Sequence, residues 1–158
     1  MIFIEIRKYQ TADCKEITQL FYDTVHSVNI KDYSQEQVDA WATGTVNIEK
    51  WNESLMKNYS IVAVADGIIA GFGDIDRRGY LDHLFVHKDY QGKGIATAIC
   101  NELEDFVIGS GIQIVYTHAS ITAKQFFIKR GYKVIKEQQV ERRGIKLTNF
   151  VMEKTVAE

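Results

Sequence analysis

The fold is decided by residues 84–99, LFVHKDYQGKGIATAI, where an apolar run leads through a glycine-rich turn into a helical pattern. Ile95, Ile99 and Leu103 recur at the spacing of one helix face, so a helix is predicted directly after the turn. Glycines allow successive backbone N–H groups to converge on an anion, and the helix dipole adds roughly half a positive charge at its N-terminus. The stretch therefore predicts a strand, a pyrophosphate-binding turn and a helix. The alternative is a tight turn without a ligand.

The glycine spacing argues against two common phosphate-binding loops. The run lacks the GxxxxGK[ST] pattern of a P-loop, and Thr97 stands where the GxGxxG pattern needs its last glycine. Nucleoside triphosphates and nicotinamide dinucleotides are therefore poor ligands for this turn.

The periodicity of the flanking sequence predicts an α+β domain with a mixed sheet. Strands are expected at residues 2–6, 59–65, 68–75, 80–87, 112–117, 132–140 and 145–152. Helices are expected at 13–29, after Ser34, around 48–55, at 95–106 and at 122–130. Asp13 with Glu16, and Ser34 with Gln37, form capping-box patterns for the first two helices. No linker interrupts the pattern, so residues 1–158 are expected to form one domain.

The composition narrows the classes of partner. A formal net charge of −2 and a pI near 6.1 give no general attraction for nucleic acid or an anionic membrane. No segment has the form of a signal peptide or the length of a membrane span, which favours a soluble, cytoplasmic protein. Cys14 and Cys100 lack CxxC spacing, and His83 and His87 are not on a predicted helix, so neither a disulfide nor a metal site is expected.

The central stretch resembles a known family. Leu84 to His87, followed by Tyr90 to Ala96, is similar to the strand and pyrophosphate loop of the GNAT superfamily of acyl-CoA N-acyltransferases. The family's loop pattern is Gln or Arg, two residues, Gly, one residue, then Gly or Ala, and it is matched by Gln91, Gly94 and Ala96. The order of elements and the segment FFIKRGY at 126–132 extend the resemblance over essentially the whole chain.

A narrower resemblance is carried by three short segments. They are Ala119-Ser120, Phe126-Phe127 and Arg142-Arg143-Gly144, and together they are similar to the bacterial YafP-like branch of the superfamily. The resemblance implies a GNAT-like mixed, mostly antiparallel sheet flanked by helices, with a splayed central strand pair.

The resemblance also implies acetyl-CoA as the co-substrate and no metal. The pantetheine arm would lie along the backbone of 84–86, and the loop amides would hold the pyrophosphate. The implied cofactor-binding residues are Leu84, Phe85, Val86, Gln91, Gly92, Lys93, Gly94, Ile95, Ala96, Thr97, Ser120 and Phe127. Lys93 is alternatively a solvated loop lysine, and Ser120 a helix cap.

The chemistry requires a base, because an ammonium acceptor with a pKa near ~10.4 must lose a proton before it attacks a thioester. Period-two alternation would place Tyr80, Asp82, Leu84 and Val86 on one face. The resemblance implies a base at Tyr80 or Asp82. We expect Asp82 to be the base and His118 to be the second candidate, against the alternative of an exposed strand carboxylate.

Phe127 departs from the family pattern. Many relatives carry there a tyrosine that protonates the departing thiolate, and phenylalanine cannot donate a proton. Tyr116, Tyr132 and Ser120 remain as alternatives for that role. A thiol with a pKa near ~8.5 leaves tolerably as the thiolate, so loss of the acid is expected to cost about 100-fold in rate without abolishing turnover.

The acceptor side is expected on the amino-terminal helices. The residues implied there are His26, Tyr33, Trp41 and Trp51, with core or lid positions as the alternative. Arg142 and Arg143 are expected at a hairpin tip, either solvated or facing a carboxylate or phosphate of the acceptor or of CoA.

The predicted activity is N-acetyl transfer from acetyl-CoA to a primary amine of a small molecule, by direct attack in a ternary complex. A noncatalytic acyl-CoA-binding or regulatory module and a protein N-acetyltransferase are the alternatives, with the chain a monomer or a homodimer.

Overall fold

A computed structural model describes residues 2–158 of the chain. The helices are α1 (Cys14–Ser27), α2 (Gln35–Trp41), α3 (Ile48–Lys57), α4 (Ile95–Gly109) and α5 (Lys124–Lys129). The strands are β1 (Glu5–Lys8), β2 (Tyr59–Ala65), β3 (Ile68–Ile75), β4 (Tyr80–Val86), β5 (Ile114–Ser120), β6 (Lys133–Arg142) and β7 (Ile145–Thr155). Among these residues, no helix is both long and apolar enough to span a bilayer.

The strands form one mixed sheet with the order β1-β2-β3-β4-β5-β7-β6. Every neighbouring pair is antiparallel except β4 and β5, which run parallel. That parallel ladder has two paired positions in the described chain, Tyr80 with Tyr116 and Leu81 with Thr117. Beyond them the two strands separate. The predicted fold class, including the splayed central pair, is confirmed.

Helices cover both faces of the sheet because the central strands alternate between two apolar clusters. The α4-side cluster includes Ile61, Ala63, Leu81, Ile99 and Leu103. The α1-side cluster includes Ile17, Phe21, Leu55, Val62 and Phe72. Neighbouring residues of β2 thus point to opposite faces, as expected for a strand buried on both sides.

Two glycines of β3 allow α4 to lie close against the sheet. A Cβ on Gly71 would stand 2.8 Å from Cγ2 of Ile95, and one on Gly73 would stand 2.8 Å from Cγ2 of Ile99 and 3.0 Å from the His83 carbonyl oxygen. Real side chains do not approach so closely in a well-packed core. The two glycines therefore fix the position of α4, and with it the loop at its N-terminus.

We expect Gly73→Ala to lower the free energy of unfolding by about 1–3 kcal/mol, the usual cost of overpacking a core. Gly109→Ala is the matched control, because a Cβ there meets no atom within 4 Å. Alanine at that helical position is expected to stabilise the protein by roughly 0.5–1 kcal/mol. Urea unfolding of both variants tests the account, and equal stability changes would contradict it.

Several boundaries differ from the sequence prediction. The strand expected at 2–6 is observed at Glu5–Lys8, paired with β2. The Asp13–Glu16 capping box is wrong, because the Asp13 carboxylate instead accepts hydrogen bonds from the Arg7 guanidinium and the Gln10 N–H. Glu16 accepts a hydrogen bond from the N–H of Ile69 in β3. Residues close in sequence thus bind the Asp13 carboxylate, and a distant residue of β3 binds that of Glu16.

Other elements agree with their patterns or extend beyond them. The Ser34–Gln37 capping box is confirmed, with the Gln37 N–H donating to Ser34 Oγ and the Ser34 N–H to Gln37 Oε1. The turns expected around 48–55 form a ten-residue helix, which Asn47 caps through its side chain. β7 continues to Thr155 because its residues 149–155 pair with the whole of β5.

Candidate functional site

The separation of β4 from β5 leaves backbone groups of β4 without a strand partner. The N–H of His83 bonds to Asp74 Oδ1 and the N–H of His87 bonds to the Ala70 carbonyl, so odd-numbered residues of this segment face β3. Alternation then turns the N–H and C=O of Leu84 and the N–H of Val86 towards the gap. An extended ligand lying in the gap can take the place of the missing strand.

The loop before α4 presents a second set of donors. Gly94 is the N-cap of α4 with φ of 83°, and Gly92 has φ of 71°, both in the left-handed region that favours glycine. No side chain caps the helix, and its first backbone bond runs from the Ala98 N–H to the Gly94 carbonyl. The N–H groups of the first turn therefore point outwards, at the positive end of the helix dipole.

Gln91 ties this loop to the end of β4. Its Nε2 donates to the Val86 carbonyl at 2.8 Å, and the Tyr90 N–H donates to the His87 carbonyl at 2.9 Å. The same Val86 carbonyl accepts the Thr24 hydroxyl at 3.0 Å. The loop is thereby held at a fixed distance from the gap and from α1.

The gap and the loop open into one cleft of about 1080 Å³. Its lining includes most of the residues that the sequence singled out, namely Tyr33, Trp41, Tyr80, Asp82, Leu84, Phe85, Val86, Gln91, Gly92, Gly94, Ile95, Ala96, Thr97, His118, Ser120 and Phe127. Lys93 and His26 do not line it. Lys93 lies on the outer side of the loop with His87 and Asp89, and His26 bonds the Ala42 carbonyl through Nε2.

A bulge in β4 shapes the floor of the cleft. The register between β3 and β4 passes from Asp74–His83 to Ile75–Leu81, so Asp82 is the extra residue. Leu81 and Leu84 consequently both contact the α4-side cluster, although strict alternation would separate them. The prediction of a single face shared by Tyr80, Asp82, Leu84 and Val86 is therefore wrong.

The bulge is held by a buried carboxylate. Asp74 is 0 % exposed, and its Oδ1 accepts both the backbone N–H of His83 at 2.9 Å and the ring Nδ1–H at 2.8 Å. Oδ2 accepts the Asn58 amide at 2.9 Å. The side chain of Asp74 thus replaces the ladder partner that the bulge removes, and it fixes the imidazole of His83 against the Trp51 ring.

These contacts set the charges of the site. Burial opposes protonation of His83, but the Asp74 carboxylate outweighs it and raises the pKa of His83 to about 9. Burial raises the pKa of Asp82, and the nearby His83 charge opposes that rise. Burial lowers the pKa of His118 and raises the pKa of Tyr80 to about 12. At neutral pH the floor of the cleft therefore carries the protonated imidazole of His83, the carboxylate of Asp82 and the neutral imidazole of His118.

Comparison with known proteins connects this geometry to a family. Residues 29–154 match the family model described as an acetyltransferase (GNAT) domain. The chain belongs to the GNAT acetyltransferase family. It is 37% identical over 150 residues to the uncharacterized N-acetyltransferase YafP of Escherichia coli (strain K12), with 94% of each chain covered. The predicted family, its YafP-like branch and the enzyme class are thereby confirmed, and acetyl-CoA, the predicted co-substrate, is the acyl donor of the GNAT family.

Solved GNAT structures share the fold. A GCN5-related N-acetyltransferase from Rhodopseudomonas palustris superposes with a TM-score of 0.92 at 30% identity, covering 96% of this chain and 94% of its own. The PaiA N-acetyltransferase of Thermoplasma acidophilum, solved in complex with coenzyme A, has a TM-score of 0.78 at 22% identity, with 97% and 99% covered. The second likeness concerns the fold alone.

The position where many GNAT proteins carry a tyrosine is filled here by a core residue. Phe127 is 2 % exposed and contacts the rings of Phe126 and Tyr132. Tyr132 does not replace the missing hydroxyl, because its OH is buried and donates to Glu104 Oε2, and burial raises its pKa. Ser120 lines the cleft, and its Oγ accepts the Ala123 N–H at 3.0 Å, which leaves the hydroxyl proton to donate.

Aromatic rings line the cleft on the α1 side. Trp41 and Trp51 both contact the ring of Phe21, and Trp41 also contacts Phe85. Tyr33 is anchored by two hydrogen bonds, donating to the Thr148 carbonyl and accepting from the Ile121 N–H. Tyr33, which lies just before α2, thus links that segment to β7 and to Ile121. The two tryptophans are half-buried and can contact a ligand in the cleft.

Two contributors to the site were missed from the sequence. Asp74 and the charged state of His83 both depend on the bulge, whose position no periodicity reveals. One signal was available, because Asp74 is the only charged residue in the otherwise apolar strand IIAGFGDI at 68–75. A buried carboxylate in such a strand requires a partner.

Asp74, Asp82 and His83 also offer ligand atoms within 4.8 Å of one another, close enough to hold a metal ion. The Nδ1–H of His83 already bonds to Asp74 Oδ1, so a metal would have to displace that proton. Acyl transfer from a thioester to an amine needs no metal. These three side chains are instead suited to accepting a proton and to setting the charge of the cleft.

Proposed function

We propose that the chain transfers an acetyl group from acetyl-CoA to the primary amine of a small-molecule acceptor, by direct attack in a ternary complex. This proposal rests on one observation: a ligand-binding backbone wall and two candidate bases line the same cleft. The free N–H groups before α4 and the unpaired edge of β4 form one wall, and Asp82 and His118 lie at its far end.

The donor is expected to bind along the wall. Its pyrophosphate accepts hydrogen bonds from the N–H groups of 92–97, where the helix dipole favours negative charge. Its pantetheine amides bond with the N–H and C=O of Leu84 and the N–H of Val86, as a neighbouring strand would. The thioester then lies between β4 and β5.

The acceptor is expected to lose a proton to Asp82 before attack. Burial raises the pKa of Asp82, which brings this carboxylate closer to the basicity required. His118 is the second candidate, because burial keeps its imidazole neutral at neutral pH. The neutral amine nitrogen then attacks the thioester carbon and forms a tetrahedral intermediate. Its collapse breaks the C–S bond and releases the CoA thiolate, with Ser120 Oγ as a hydrogen-bond donor. The second amine proton passes to the thiolate, which leaves the amide and CoA as products.

The enclosed aromatic end supports a small acceptor over a protein side chain. The buried Phe127 supports one competing function, a module that binds acyl-CoA without transferring the acyl group. One thiol-release experiment separates the small-molecule acetyltransferase, the protein acetyltransferase and the acyl-CoA-binding module.

The test measures thiol release from acetyl-CoA with a panel of small amines and lysine-containing peptides, with products identified by mass spectrometry. We expect an N-acetylated small amine and stoichiometric CoA. Tight binding of acetyl-CoA in calorimetry without release above buffer for any acceptor would establish the binding module instead. Acetylation of peptides alone would favour the protein acetyltransferase.

A further inference from the structure

The charged side chains that line the cleft are unevenly distributed in sign. They are Lys50, Asp82, His83, His118, Glu141, Arg142 and Arg143. Lys50, Arg142 and Arg143 are positive, Asp82 and Glu141 are negative, and the positive charge of His83 is balanced by the buried Asp74 carboxylate. The lining of the cleft thus has a small excess of positive charge, whereas the whole chain has a formal net charge of −2, and it is suited to ligands with anionic groups.

Arg142 lines the same cleft as Tyr80 and His118, whose rings are 5.1 Å apart. Burial lowers the pKa of His118 and the charge of Arg142 adds to that effect, while burial raises the pKa of Tyr80 and Arg142 opposes it. The charge of Arg142 therefore acts within the cleft that holds the candidate bases Asp82 and His118.

The hairpin that carries the two arginines is firmly held. Its turn places Arg143 at φ of 51° and Gly144 at φ of 79°, both left-handed, as a tight two-residue hairpin requires. Gln37 Nε2 donates to the Lys146 carbonyl at 2.9 Å, which joins the hairpin to α2. Arg142 and Arg143 are consequently presented to the cleft from a fixed backbone.

Neither guanidinium is neutralised by the protein. Within residues 2–158, no carboxylate forms an ion pair with Arg142 or Arg143. Arg142 Nη1 donates to the neighbouring Glu141 carbonyl at 3.1 Å, which leaves the rest of its fork free. A planar fork with free N–H groups matches the oxygens of a carboxylate or phosphate.

We propose that the acceptor carries an anionic group besides its amine, and that Arg142 and Arg143 bind this group while Asp82 faces the amine. This inference rests on the proposed function. Asp82 and Arg142 line the same cleft as the contacting rings of Tyr80 and His118, so one compact ligand can meet both charges. A compact zwitterion such as an amino acid or an aminoalkyl phosphate has this arrangement.

The aromatic wall guides the choice of probes. Phenylalanine and 2-phenylethylamine share a ring and an amine and differ by the carboxylate. O-phosphoethanolamine and ethanolamine differ by the phosphate. Each pair is tested for acetylation with acetyl-CoA, and for binding to the CoA complex by calorimetry.

For the wild-type protein we expect kcat/KM to be roughly 10- to 100-fold higher for the zwitterion of at least one pair, the usual effect of a charge-assisted hydrogen bond. The pair that shows the preference identifies the anion as carboxylate or phosphate. In the double variant Arg142→Gln, Arg143→Gln the ratio falls to near one. Lys146→Gln is the control: it removes a positive charge from the same hairpin but does not line the cleft, and it keeps the wild-type ratio.

The outcomes separate this inference from the function on which it rests. Equal use of amine and zwitterion, or a preference that survives the double variant, would overturn the anion site while leaving the acetyltransferase intact. Preferential binding of a zwitterion to the CoA complex without acetylation would support the anion site and contradict the enzyme. If neither member of either pair binds or reacts, the inference is overturned.

Discussion

Gly94→Asp is expected to weaken the binding of acetyl-CoA about 100-fold, equivalent to about 2.7 kcal/mol. The variant brings a carboxylate to the N-terminus of α4, where the pyrophosphate must accept hydrogen bonds from the same backbone groups. Two like charges would then compete for one set of donors. Isothermal titration calorimetry with CoA and with acetyl-CoA measures the loss.

The variant has a control matched in backbone strain. Gly111 has φ of 84° against 83° for Gly94, and a Cβ on either residue meets no atom within 4 Å. Gly111→Asp therefore introduces the same side chain, with the same left-handed strain, at the opposite end of α4. It is expected to retain wild-type affinity. Equal affinities for the two variants would refute the loop as the pyrophosphate site.

Asp82→Asn is expected to lower kcat about 100-fold at neutral pH, the low end for losing a general base, with little change in the affinity for CoA. The substitution preserves shape and removes proton-accepting capacity. The deficit is expected to shrink as the pH approaches the pKa of the acceptor ammonium, ~10.4 for a lysine-like amine, because free amine needs no base.

The direction of the pH dependence follows from the protonation state. Asp82 acts as a base only when ionised, and burial raises its pKa above the ordinary value of ~3.9. The wild-type rate therefore falls as the pH drops through that raised pKa, and Asp82→Asn loses this limb. His118→Gln is the comparison variant. If it removes the acidic limb while Asp82→Asn leaves the profile unchanged, the base is His118.

The sequence predicted those parts of the molecule that depend on local pattern. The strand, turn and helix of 84–109 follow from periodicity and glycine placement, and the strands expected at 59–65 and 68–75 are observed as β2 and β3. Glycines in the left-handed region at 92 and 94 also agree with the anion-binding interpretation. Local steric rules are sufficient there because the turn is built from neighbouring residues.

The parts that sequence could not supply depend on contacts across the sheet. The β4 bulge is stabilised by Asp74, nine residues before His83, and neither residue carries a local signal of that pairing. The capping prediction for Glu16 failed for the same reason, since its carboxylate accepts the N–H of Ile69 in β3. Asp13 instead binds Arg7 and the Gln10 N–H, which precede it closely in sequence. The contacts of Asp74 and Glu16 depend on proximity in the folded chain, which the linear pattern does not contain.

The loop before α4 is expected to bind the pyrophosphate of acetyl-CoA, and β4 is expected to bind its pantetheine arm. A crystal structure of the protein with CoA would show both contacts. We expect pyrophosphate oxygens within about 3 Å of backbone nitrogens of residues 92–97, the usual length of such hydrogen bonds, and pantetheine amides paired with Leu84. Coenzyme bound elsewhere, with that loop free of phosphate, would rule out this binding mode.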